Sequence, residues 1–236
     1  MTRSLLNMQF GILPAVLGAT TITLASTILM PAQAQAADFT VESGVTSVFL
    51  DVDTLNTVGL SLTGTVGDVE APVSNEFLVG FTITPETDFS FSDEGGFTLL
   101  GGSIEHTGGV EFNGGTASAL AVGNFSIGFD AARADTTTGA TGFFVQDLLT
   151  TNAVLFDVAE VTPSFDGENL TIDGSLLVSE ELSGVLGNPG LIGAAVGSAQ
   201  VNASTIEATA SVPEPATAAG LLLAGMLGIA TRRKSA

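Results

Sequence analysis

The chain has 236 residues, with 25 acidic side chains against 5 basic ones, a formal net charge of −20 and 45 % hydrophobic residues. It has no Cys and a single His, which excludes disulfides, thiolate metal sites, thiol catalysis and multi-histidine metal centres. Such a polyanion lacks the Lys and Arg that neutralise phosphates, so nucleic acid is excluded as a partner, while the hydrophobic fraction argues against wholesale disorder.

The first element reads as an export signal. Arg3 supplies a positive start, and no charged residue follows until Asp38. Residues 10–30 are mostly Leu, Ile, Val and Ala, interrupted by Thr and Ser. Ala34-Gln35-Ala36 then offers a small-x-small cleavage site. This pattern predicts a signal peptide over 1–36, a mature chain from Ala37, and the Sec export machinery as a partner. Ala32-Gln33-Ala34 is a second cleavage candidate, and an uncleaved anchor is the alternative, because the apolar stretch is long for a signal.

Residues 37–211 read as one acidic all-β extracellular domain. Period-2 and β-branched stretches recur between Gly, Asn and Asp punctuation. They fall at 45–52, 58–66, 77–84, 96–104, 109–112, 124–131, 142–146, 153–162, 170–178 and 195–209. The cleanest is Phe77, Val79, Phe81 and Ile83, with a step of two. Asp166-Gly167 and Asn113-Gly114 have hairpin-turn chemistry. A β-sandwich is expected, with a partly closed barrel as the next architecture. One short helix is expected after Ser179, which can cap it. Glu180 and Glu181 suit its positive end, Leu182, Val185 and Leu186 share a face, and Gly187 with Pro189 stops it. Residues 64–76 and 131–141 are expected to be exposed loops.

The last element is tripartite: Val212-Pro213-Glu214-Pro215, then 15 uncharged residues over 216–230, then a tail carrying Arg232, Arg233 and Lys234. A helix of that length spans only about 22 Å against a hydrocarbon core of about 30 Å, so it is a short transmembrane helix. The basic residues orient it with the tail inside. This arrangement resembles the PEP-CTERM sorting signal of Gram-negative bacteria, over residues 212–236. The resemblance implies an exosortase-type membrane enzyme as processing partner, transient inner-membrane anchoring, and then a cell-surface or extracellular location. It implies nothing about the fold or activity of the domain.

Little in the domain points to chemistry. His106 would have to serve as the base of any Ser-His-Asp arrangement, but no nucleophile-elbow pattern occurs, and it reads as an exposed turn histidine. No Trp or Tyr is present as a sugar platform, and no Lys lies between 38 and 211. No catalytic residue is therefore assigned and no enzymatic activity is expected. Calcium is the one ligand favoured by composition, since it takes hard oxygens. The candidate ligands are Asp51 and Asp53, which share a face if residues 48–53 stay extended, and the turn group Asp166, Glu168 and Asn169. Arg133 is expected to pair with Asp130 or Asp135. No cofactor other than Ca²⁺ is expected. The resulting expectation is an exported structural or adhesive β-domain of the cell surface or extracellular matrix, with surface polysaccharide as a partner. The alternative is a Ca²⁺- or carbohydrate-binding module.

Overall fold

The computed structural model describes residues 37–208, apart from 58, 115 and 116. The signal-cleavage residues Ala34 and Ala36 lie outside the described residues, as do Val212, Pro213, Glu214, Pro215, Arg232, Arg233, Lys234 and the C-terminal helix. Among the described residues no helix is long and apolar enough to cross a membrane.

The elements in chain order are β1 (Asp38–Leu50), α1 (Val52–Thr57), β2 (Leu60–Val66), β3 (Val79–Ile83), β4 (Ser90–Ser92), β5 (Thr98–Gly101), β6 (Ile104–Glu105), β7 (Gly109–Gly114) and β8 (Ala117–Gly123). There follow β9 (Ser126–Phe129), β10 (Ala140–Gln146), β11 (Val154–Phe165), β12 (Asn169–Val178), α2 (Glu180–Leu186) and β13 (Ala195–Glu207). The domain is all-β with few helices, as its residue pattern predicts.

The larger of the two sheets curls round on itself. Its antiparallel ladder runs β6–β9–β10–β11–β12–β13–β1, and β3 pairs the other edge of β1 from Gly44↔Ile83 to Val48↔Val79. The ends of the ladder then meet. Ile83 bridges His106. Thr84 N donates to Glu105 O at 2.8 Å and Thr107 N to Thr82 O at 3.1 Å. Closure satisfies backbone groups that two open edges would expose. The expected sandwich is thus replaced by the barrel alternative. β1 is long enough to hold β4 at Asp38–Thr40 and β3 further along on one edge, and β3 then meets β6, which carries the other wall of the seam.

Alternation decides what fills the barrel. Phe39, Val41, Phe81, Ile104, Leu170, Ile172, Leu176, Val201 and Ala203 are buried in one apolar cluster. Burial of such side chains contributes about 25 cal/mol per Å² of apolar surface. The voids left inside are about 40 and 30 Å³, room for little beyond a water molecule.

A second, three-stranded sheet (β2–β7–β8) grows from the same seam. β7 follows β6 and β8 leads into β9, so a long hairpin is bent where Asn124 N donates to Gly108 O at 2.8 Å. Its residues Val110, Phe112, Leu120 and Val122 join the barrel core. Gly114 pairs Ala117, so the expected turn residues Asn113-Gly114 lie inside β7. Asp166-Gly167 does turn a hairpin, since Phe165 pairs Leu170.

The predicted helix forms as α2. Ser179 Oγ accepts from Leu182 N at 3.0 Å, and Gly187 closes the helix in the left-handed region at φ 69°. Leu182 and Leu186 are buried on its inner face. α1 was not expected. Asp51 initiates it, because its carboxylate accepts from Thr54 N at 3.0 Å and from Thr54 Oγ1 at 2.8 Å.

Candidate functional site

The one histidine lies in the interior. His106 is 4 % exposed, so the exposed-turn reading is corrected. The residue follows β6, which closes the barrel against β3, and this pairing turns its ring inward. Phe125 O can only accept, so His106 Nδ1 donates to it at 2.9 Å. Nε2 is then unprotonated and accepts from Thr46 Oγ1 at 2.7 Å. Burial disfavours the charged ring and lowers its pKa to about 4, against weaker opposing effects from the Phe125 carbonyl and the nearby Glu105. The ring is a satisfied core group, enclosed by Val48, Phe81, Phe112 and Phe125.

A pH dependence follows. The unfolded histidine protonates below its ordinary pKa of 6.5, whereas the folded one does so only near 4. The unfolded state therefore binds more protons between these values, and stability falls as pH drops through that window. The full contribution, present above pH 6.5, is about 3 kcal/mol. Urea midpoints followed by circular dichroism between pH 7 and 4 are expected to show this loss. His106→Gln is expected to flatten that part of the curve.

The buried acid is Asp147, which the sequence reading passed over. It is fully buried at the start of the β10–β11 loop. Its Oδ1 accepts from Gly123 N at 2.8 Å and Leu149 N at 3.0 Å. Its Oδ2 accepts from Thr151 N at 2.6 Å and Thr151 Oγ1 at 2.7 Å, and from Thr150 N and Oγ1 at 3.2 Å each. Burial pushes its pKa up, but these donors outweigh burial and hold it below the usual carboxylate value. The site ties the loop to the end of β8.

Arg133 joins three elements. Its Nε donates to Asp157 Oδ1 at 2.7 Å on β11, and its two terminal nitrogens reach Glu181 at 2.8 and 2.9 Å on α2. Its guanidinium carbon also lies 5.7 Å from the centre of the Phe144 ring. The expected partners are therefore corrected. Asp130 instead caps a short turn by accepting from Ala132 N at 2.9 Å, and Asp135 accepts from Thr137 N at 2.8 Å. The hydrogen bond from Arg133 is the main cause that lowers the pKa of Glu181.

The calcium candidates occupy different places. β1 ends at Leu50 and α1 begins at Val52, so the extended geometry that would align Asp51 with Asp53 is absent. Asp51 is turned to the helix start, and its hydrogen bonds to Thr54 lower its pKa. Asp166 Oδ1 accepts from Glu168 N at 3.0 Å and Asn169 N at 2.7 Å, which braces the hairpin turn and lowers its pKa. The turn brings Asp166, Glu168 and Asn169 together on an exposed surface. Among the described residues no group of three His, Cys, Asp or Glu side chains is placed to hold a metal ion.

The described residues thus define an all-β barrel domain whose strongest polar side chains brace its own turns and caps. Residues 211–234 match the family described as the PEP-CTERM protein-sorting motif, and the chain carries that motif. The motif implies export, processing by a membrane exosortase-type enzyme, transient membrane anchoring and then a cell-surface or extracellular location. A search of curated proteins gave no match. Among solved structures, the C-terminal domain of HtaA from Corynebacterium glutamicum is similar, with 14 % identity and a TM-score of 0.42. That likeness covers 73 % of this chain and 100 % of the HtaA domain.

Proposed function

We propose that this chain is a non-enzymatic structural or adhesive β-domain of the cell surface or extracellular matrix, delivered by its C-terminal signal. One observation carries the reading. The sorting motif begins at residue 211, four residues after β13 ends at Glu207, so the barrel is joined almost directly to its sorting element. The single histidine, the natural candidate for a base, is buried and paired in the core, which favours a non-catalytic role. Between 38 and 211 there are 24 acidic residues and one arginine, a net charge of −23. Such a surface repels its own copies, and divalent cations relieve that repulsion. Calcium is therefore proposed as a diffuse bridging ion, with surface polysaccharide as the partner.

Intact-mass measurement of material released from the producing cell tests delivery. The expected mass lacks the residues before Ala37 and the apolar stretch after Pro215. A released product that still bears Arg232, Arg233 and Lys234 overturns the sorting reading. Replacing those three residues by alanine is expected to leave the protein in the membrane fraction.

A further inference from the structure

One end of the barrel is an aromatic-lined mouth. It lies where β1 begins and β13 ends, with Phe39 opposite Glu207. The cleft has a volume of about 410 Å³ and is lined by Phe91, Phe97, Phe165, Pro163 and Asp93. Phe97 and Phe165 are half-buried and both pack on the fully buried Phe91. Phe91 and Phe97 stack with centroids 5.1 Å apart, and Phe165 meets Phe91 edge-on at 5.1 Å. Phe39 supports Phe165 from inside at 4.5 Å. Barrel mouths of this size are common places for small ligands.

The chemistry of the lining narrows the ligand. Phe rings offer no hydrogen-bond donor or acceptor, so a group that needs hydrogen bonds loses them on entry. The ring faces are negative and attract cations. Asp93 is exposed at the rim, and its carboxylate accepts no hydrogen bond from any described residue. Asp51, Asp147 and Asp166, in contrast, are each engaged with backbone amides. The adjoining turns add Glu94, Asp166 and Glu168, and the one basic residue between 38 and 211 is Arg133, held by Asp157 and Glu181. Anionic ligands are therefore repelled. A weakly hydrated alkylated ammonium loses little on leaving water and gains both the rings and the carboxylate. The rim also leaves space, since nothing lies within 4 Å of where a side chain would start at Gly96 or Gly167.

We propose that this mouth binds a small organic cation carrying an alkylated ammonium group, held over Phe97 and Phe165 with Asp93 as counter-charge. This adds a ligand to the surface-protein reading above. It is tested on the purified full-length chain in non-ionic detergent, so a failure of binding and a failure of processing are separately visible. The probes are choline and its uncharged isostere 3,3-dimethylbutan-1-ol, followed by proton NMR. Choline is expected to bind at least about tenfold more tightly than the alcohol, with its N-methyl protons shifted upfield by the rings. Phe97→Ala is expected to weaken binding by about tenfold and Asp93→Asn by a smaller factor, with the circular dichroism spectrum unchanged. Phe97 lies in the turn between β4 and β5, outside the strands, which makes it the cleaner variant. Equal binding of the alcohol, no upfield shift up to about 50 mM choline, or unchanged affinity in a folded Phe97→Ala variant each overturns the proposal.

Discussion

Asp147→Ala is expected to lower the unfolding free energy by about 3–5 kcal/mol, because it removes a fully buried carboxylate that serves the buried Gly123 N–H and several part-buried loop donors at once. The carboxylate binds the backbone N–H groups of Gly123, Leu149, Thr150 and Thr151, and both threonine hydroxyls. The Thr150 hydroxyl lies close to both the Asp147 carboxylate and Ala121 O, so the loop also loses its hold on β8. For a domain of this length the urea dependence is about 2 kcal/mol per M, so the midpoint is expected to fall by about 1.5–2.5 M. Circular dichroism is the appropriate probe, since the chain has no Trp or Tyr. Asp147→Asn keeps the shape and one acceptor oxygen but turns an NH₂ group towards donors, so an intermediate loss is expected. A loss below about 1 kcal/mol for the alanine variant would show that water replaces the carboxylate and that the loop is not braced from within.

Asp147 also shows which features were legible in the sequence. Local patterns were read well where the signal is local. The step-two run from Phe77 to Ile83 supplies β3 over Val79–Ile83, with Val79, Phe81 and Ile83 buried and Phe77 left before the strand, and the Ser179 cap begins α2 where expected. Groups whose partners are distant in sequence were misread. His106 meets Thr46 60 positions away, and Arg133 meets partners 24 and 48 positions away. The His106 contact exists because β3 and β6 meet across the seam, and the Arg133 contacts because β11 pairs β10 and α2 carries Glu181; no local period encodes such pairings. Two misses did carry a local signal. Asp51 three residues before Thr54 is a helix-start pattern, and Asp147 followed by Thr150-Thr151 is a turn-bracing one. β8 was missed because Ala117–Gly123 is rich in small residues, with little of the β-branched enrichment that marks a strand.

The bend that joins the two sheets makes a sharp demand at Gly108, and Gly108→Ala is expected to cost at least about 4 kcal/mol or to prevent folding. Two effects combine there. The backbone has φ +86°, a region that costs an L-residue about 1–3 kcal/mol. A Cβ would also lie 2.2 Å from Asp68 O, a backbone atom that cannot rotate away. Gly59 separates the two effects. It has φ +88°, but nothing lies within 4 Å of its Cβ position, so Gly59→Ala is expected to cost only about 1–2 kcal/mol. The contrast between the variants, read from urea midpoints, isolates the close approach of the 66–69 segment to the bend between β6 and β7. Equal losses would mean that backbone conformation alone selects glycine at this bend. A much larger loss at Gly108 would mean that tight packing at the bend is what lets β7 and β8 leave the barrel and still bury Val110, Phe112 and Val122 in its core. With total stabilities of about 5–15 kcal/mol typical for a domain, a loss of that size consumes most of the margin. The bend is therefore a structural requirement for assembling the two sheets around one core.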